Sequence, residues 1–262
     1  MEPALYLADG DRFVPTDLTR SPWHPGAQHG GPPAALAVGA VEAVAPAGFE
    51  VARITFEVLG EIPVEPLAVA ASVVRPGRRV VLARAEVSAG GRPLMLAAAW
   101  LMRHGDVDLP PPADPPPAPP PVPDDLPDHE YAFREYPDFF GSALDKRLID
   151  GTVEGPGRAA MWFRLRVPVV AGRPDGPLQR LAAIADSGNG ISWSLPFEDY
   201  LFINTDLTLS VVRAPQGEWF ALDAVTRLDA AGRGIADTLL FDRRGWLGRG
   251  MQTLYVAERS ER

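Results

Sequence analysis

The side chains best suited to chemistry stand where the surrounding pattern calls for something plainer. Asp186 closes an apolar stretch that carries Leu178, Leu181, Ile184 and Ala185. A helix ending there presents partial negative charge, so an acid is poorly placed unless a site needs it. Asn204, Asp206 and Thr208 alternate with Thr205, Leu207 and Leu209, the polar face of a strand. Gln252 lies between Met251 and Thr253 in the last apolar run. A carboxylate and two carboxamides are groups that can accept a proton or orient a water, which is acid–base chemistry. The plainer alternatives are a turn residue for Asp186 and solvent-facing strand positions for the others.

Several familiar constellations are missing. There is no Gly-x-Ser-x-Gly elbow, no phosphate-binding Gly-Lys-Ser/Thr loop and no His-Glu-x-x-His. Gly188-x-Gly190 lacks the strand, third glycine and acidic partner of a dinucleotide fingerprint, and reads as a helix stop. His24, His29, His104 and His129 show no metal-ligand spacing, and none falls in the second-half region of Asp186 and Gln252. The chain has no cysteine, which excludes disulfides, thiolate nucleophiles and cysteine-based metal centres. A formal charge of −9 disfavours nucleic acid and anionic membranes as partners. The start, Met1-Glu2-Pro3, does not read as a signal peptide, and the longest apolar run, 94–102, is too short to cross a bilayer. A cytoplasmic location is the expectation.

The elements that must position these groups fall on either side of a proline run. Ten of the fourteen residues from Pro110 to Pro123 are proline. Such a run can enter neither a helix interior nor a sheet ladder, so it predicts an extended strap of about 43 Å at about 3.1 Å per residue. The flanking segments repeat one script. Strands around Asp9-Gly10-Asp11 lead to a small, apolar helix opened by Pro32 and Pro33, then to four strands at 53–58, 67–74, 80–88 and 94–103. After the strap, strands at 144–152 and 160–167 lead to a helix opened by Gly176-Pro177 and running to about 186. Strands follow at 202–212, 219–227, 234–241 and 247–258. Turn glycines recur at similar spacing, Gly77 then Gly91 and Gly232 then Gly245. The reading is an α+β protein with a unit at 1–108, a proline-rich linker at 109–130 and a second unit at 131–262.

At these residues the chain resembles the thioesterase II group of acyl-CoA thioesterases. The first half is similar through Gln28-His29-Gly30-Gly31-Pro32-Pro33-Ala34 and Arg53-Ile54-Thr55-Phe56. The second is similar through Ala185-Asp186, Asn204-Thr205-Asp206-Leu207-Thr208, Arg213-x-Pro215, Asp242-x-x-Gly245 and Gly250-Met251-Gln252. The resemblance covers nearly the whole chain. It implies a double hotdog: two tandem units, each a long helix wrapped by a curved antiparallel sheet. It also implies an acyl-CoA substrate, no cofactor or metal, and association into a homo-oligomer. The family's catalytic set is Asp, Ser or Thr, and Gln. Asp186 and Gln252 match the first and last. The hydroxyl position, two residues before the strand aspartate, is Asn204 here, with Thr205 one step along. Strand alternation sets Asn204 and Thr205 on opposite faces, which favours Asn204. On this reading Asp186, Asn204 and Gln252 converge on one water, while backbone N–H groups near Gly30 and Gly31, beside His29, hold the substrate's oxyanion. The acyl chain lies in an apolar slot between the halves. The alternatives are an acyl-CoA or lipid carrier without turnover and, further off, an enoyl-CoA hydratase or dehydratase.

Overall fold

The computed structural model describes residues 3–130 and 136–259. β1 (Tyr6–Asp9) and β2 (Arg12–Pro15) form a hairpin turned at Gly10, which takes φ +61°, a conformation glycine adopts without steric cost. α1 (Gly31–Val44) starts with Pro32 and Pro33 in its first turn and is buried along most of its length, as its lack of charge predicts. β3 (Phe49–Val58), β4 (Leu67–Arg75), β5 (Val80–Ala89) and β6 (Arg92–Arg103) follow. In the second half come α2 (Phe139–Ser142), β7 (Leu144–Gly151), β8 (Ala159–Leu165), α3 (Pro177–Ala185) and α4 (Gly188–Ile191). The chain ends with β9 (Tyr200–Asn204), β10 (Asp206–Val211), β11 (Trp219–Asp229), β12 (Arg233–Asp242) and β13 (Gly245–Glu258).

The repeat is written in the strand order. The first half runs β1-β2-β4-β5-β6-β3, and the second, read from its far edge, β7-β8-β11-β12-β13-β10. The halves therefore share one topology, two tandem hotdog units. They join where β3 and β10 pair antiparallel, Phe56 opposite Leu207, into one continuous sheet. α1 packs on β4 and β5, α3 packs on β8 and β11, and the two helices pack on each other. α1 and α3 cross so closely that a Cβ on Gly31 would lie 1.9 Å from the Ala183 carbonyl oxygen. Ile54, Phe56, Leu101, Phe163, Leu181, Ile184 and Phe220 belong to one apolar core shared by the halves.

The proline segment crosses the outer face of the second half. Trp162 Nε1 donates to the Pro121 carbonyl at 2.8 Å, and Arg243 pairs with Asp124 at 2.7 Å. Leu126 packs there with Trp162, Trp219 and Phe241.

α3 stops at Ala185, as the sequence reading expects, but the residues after it are not a plain turn: the chain turns at Asp186 and Ser187 and forms a second short helix, α4. One local reading is corrected. The stretch 202–212 is not one regular strand. Asn204 stands opposite Leu254 but Thr208 opposite Met251, so one extra residue is inserted at Thr205-Asp206. The Asp206 carboxylate fills the gap by accepting from the Thr253 N–H at 2.9 Å. Such a bulge reverses the alternation. Thr208 therefore points outward, 3.0 Å from the Thr55 hydroxyl, while Asn204 turns inward.

Candidate active site

Asp186 sits at the C-terminal cap of α3, and its carboxylate is nearly buried. A carboxylate there faces the negative end of the helix as well as a loss of water. Two amide donors offset both. Asn204 Nδ2 and Gln252 Nε2 donate to Oδ1 at 3.2 and 3.1 Å, and His29 Nδ1 lies 3.1 Å from Oδ2. These groups come from β9, from β13 and from the loop before α1, so the site exists only when both halves are folded together.

Gln252 is buried, and its amide is committed to the protein. Nε2 also approaches the Asp186 carbonyl at 3.2 Å, and Oε1 accepts from the Asn189 N–H at 3.0 Å. Gln252 thus fixes Asp186 rather than reaching a ligand. Asn204 lines the adjoining cavity with Asp186.

His29 is held from several sides. Its N–H donates to the Thr19 carbonyl at 2.8 Å, and its ring lies 4.9 Å from that of Phe139. The short turn carrying Phe139 is clamped by two buried charges. Asp138 Oδ1 accepts from the Gly141 N–H at 2.7 Å, and Lys146 Nζ donates to the Phe140 carbonyl at 2.6 Å. Burial raises the Asp138 pKa, against the pull of the Gly141 N–H and the nearby His29 and Lys146. Burial lowers that of Lys146 to about 8, with Arg166 adding to the effect. Both directions follow from the cost of holding charge away from water.

The cavity beside Asp186 has a volume of about 470 Å³ and is lined by residues of both halves. Its apolar wall includes Trp23, Ile62, Phe140 and Phe202. Trp23 from the first half and Phe197 from the second stack with centroids 4.1 Å apart.

Of the residues singled out from sequence, Asp186, Asn204, Gln252 and His29 are brought together, and Gly30 forms part of the cavity wall. The first three converge on one another, with Asp186 Oδ1 at the centre. Thr205 is not part of the group; its hydroxyl is directed at the Thr253 carbonyl, 3.2 Å away on the exposed side. Gly31 does not line the cavity, and its N–H is directed at His29 Nδ1 at 3.1 Å. The expectation that no histidine reaches the second-half acid is overturned, because His29 arrives from the first half. His24 instead lies 3.1 Å from Glu61. Among the described residues no cluster of three or more His, Asp or Glu side chains is arranged to hold a metal ion, and no helix is long and apolar enough to cross a membrane.

Sequence reading missed Ser187, Gly188 and Asn189. The Asn189 N–H holds Gln252, and a Cβ on Gly188 would lie 2.7 Å from Thr238 Oγ1 and 3.0 Å from Gln252 Oε1. The buried Ser187 hydroxyl has no partner among the described residues and adjoins Asp186. The available signal was the apolar spacing of Ile184 and Ile191, which carries a helical face past the two glycines.

Comparison with known proteins agrees with this architecture. The model of the acyl-CoA thioesterase N-terminal domain matches residues 19–102, and that of the acyl-CoA thioesterase C-terminal domain matches residues 112–256. A candidate thioesterase from Novosphingobium aromaticivorans is 25% identical with a TM-score of 0.69, over 97% of this chain and 98% of that one. A hot dog fold protein of unknown function from Alicyclobacillus acidocaldarius is 18% identical with a TM-score of 0.73, over 97% and 96%. The acyl-CoA thioesterase II TesB2 of Mycobacterium marinum is 20% identical with a TM-score of 0.66, over 100% and 96%. No curated relative matches the chain.

Proposed function

We propose that this chain, which belongs to the acyl-CoA thioesterase family, hydrolyses the thioester of a fatty or related acyl-CoA at Asp186. The observation that carries the reading is the Asp186 carboxylate, fixed through Oδ1 by Asn204 and Gln252 at the edge of an apolar cavity. Amide donors on one oxygen leave the other to deal with a proton.

In the reaction a water oxygen bonds to the acyl carbon as Asp186 takes its proton. The carbon–sulfur bond then breaks. The proton ends on the departing sulfur, giving free acid and coenzyme A. Nδ1 of His29 and Oδ2 of Asp186, 3.1 Å apart, are well placed to share the proton while Asp186 holds it. At the start of α1, Pro32 and Pro33 have no N–H and that of Gly31 faces His29. The Gly30 N–H is therefore the donor assigned to the oxyanion, where glycine permits close approach. The acyl group occupies the space walled by Ile62, Phe140 and Phe202.

The test is thiol release from a panel of acyl-CoA esters by Asp186→Asn, which keeps the shape of the side chain. Activity should fall about 10²–10³-fold; undiminished release would remove Asp186 from the chemistry. A second reading draws on the His29–Asp186 contact. An enoyl-CoA hydratase uses such a pair, and addition of water to a short enoyl-CoA without thiol release would favour it. Asn204 in place of a hydroxyl supports a third, a carrier that binds acyl-CoA without turnover.

A further inference from the structure

The cavity holds a cation that the hydrolytic step does not use. Arg259 follows β13 and lines the same cavity as Asp186, the only arginine or lysine among the described residues that do so. Its Nε donates to the carbonyls of Phe197 and Tyr200 at 2.8 and 3.1 Å, and its main-chain N–H donates to Asp199 at 2.8 Å. These bonds fix the plane of the guanidinium and engage only Nε of the side chain. Among the described residues no hydrogen bond engages the two terminal nitrogens, a fork suited to a phosphate. No carboxylate among the described residues forms an ion pair with them.

β9 sets the separation between this cation and the acid. Asn204 at its end touches Asp186, and Tyr200 at its start supplies a carbonyl to Arg259. Four steps of extended chain cover about 13 Å. In coenzyme A the chain from the sulfur to the first phosphate has about as many bonds as a tetrapeptide, which spans roughly 13–14 Å when stretched out. We infer that Arg259 binds a phosphate of coenzyme A, with the pantetheine arm laid along β9 between Arg259 and Asp186. The inference rests on the acyl-CoA reading above and adds where the leaving group is held. It also answers an electrostatic problem. A protein of charge −9 repels a polyanionic substrate, and Arg259 offers it a fixed cation in a cavity otherwise lined by the acids Glu61 and Asp186.

The experiment compares Arg259→Gln and Arg259→Lys on two substrates with the same acyl group, acyl-CoA and the phosphate-free acyl-pantetheine. Arg259→Gln should raise KM for acyl-CoA about tenfold, the scale of one charge-assisted hydrogen bond, and change kcat little. The KM for acyl-pantetheine should not move, Arg259→Lys should recover part of the loss, and added salt should raise the wild-type KM for acyl-CoA alone. Equal losses on both substrates would overturn the inference, since Arg259 would then only hold the Phe197–Tyr200 loop. No loss on either would also overturn it. Calorimetric binding of free coenzyme A separates this from failure of the hydrolytic reading. If no ester is hydrolysed and coenzyme A still binds more weakly to Arg259→Gln, the phosphate contact stands without the chemistry.

Discussion

His29 Nδ1 lies 3.1 Å from Asp186 Oδ2 and equally close to the Gly31 N–H. The nitrogen cannot serve both neighbours in one protonation state. Accepting from Gly31 requires a lone pair, which then faces an acceptor oxygen; carrying a proton satisfies Asp186 and releases Gly31. On the proposed hydrolytic reading, a proton delivered to Asp186 during water attack is stabilised between these two atoms. His29→Ala should lower kcat about 10²-fold with little change in KM, the scale of a positioned proton-transfer partner. His29→Asn, whose amide can donate to Oδ2, should retain more activity than His29→Ala. Steady-state kinetics on both variants checks this, and equal loss in the two would argue against the shared proton.

The adjacent glycines should behave differently. A Cβ on Gly30 would meet Asp186 Oδ2 at 2.8 Å, a side-chain atom that can move aside. Gly30→Ala should therefore fold but displace the carboxylate, and a misplacement of this size can cost up to about 10²-fold in rate. A Cβ on Gly31 would meet the Ala183 carbonyl at 1.9 Å, where backbone must shift. Gly31→Ala should part α1 from α3 and cost about 3 kcal/mol or more of stability. Urea titration and activity assays on the pair separate the two effects.

The architecture was legible because burial writes itself into periodicity. Alternation in Arg53-Ile54-Thr55-Phe56 and the apolar run after Pro33 gave the strand and the helix directly. Order and spacing gave the repeat. The site was legible only in part. Asp186 and Gln252 stood out against their surroundings, but nothing local announces that the loop before α1 delivers His29 to the second unit. That contact follows from the close crossing of α1 and α3, a tertiary fact. The inward turn of Asn204 depends on a single inserted residue, and a strict period of two hides it. Alternation did separate Asn204 from Thr205, which lies on the exposed side, but it could not show that the count slips before Thr208.

Asp242 ties the turn between β12 and β13 to Arg213. It accepts two bonds from the guanidinium at 2.7 Å each, plus the N–H groups of Arg244 at 2.8 Å and Gln216 at 3.1 Å. Burial alone would raise its pKa; Arg213 and the backbone donors outweigh it, so the carboxyl titrates below the usual range. The stabilisation is present above the unfolded carboxylate pKa and is lost as pH falls through the lower folded value. Asp242→Asn should cost about 2–4 kcal/mol at neutral pH, below the figure for a fully buried pair because Arg213 is partly exposed. Denaturant midpoints should show that the deficit shrinks in acid.

Lys146, the only lysine in the chain, gives the opposite pH signature. Its ammonium is buried, caps the Phe140 and Gly141 carbonyls and lies 4.9 Å from the Phe140 ring. Asp138, Asp145 and Glu130 favour its charge, but desolvation, with Arg166 adding to it, prevails and brings its pKa down to about 8. Between that value and the unfolded pKa the denatured chain binds more protons than the native one, so stability rises as pH rises through this window. The gain reaches up to about 3 kcal/mol once pH passes the unfolded lysine value. Lys146→Met removes this slope. It also leaves the Phe140 and Gly141 carbonyls without their donor and Asp138 without its cation, so the variant should be less stable than wild type at pH 7. The deficit should widen by pH 10, because only the wild type gains from the rise. Urea titrations at the two pH values read the difference directly, and a deficit that does not change with pH would mean that the amine titrates as it does in water.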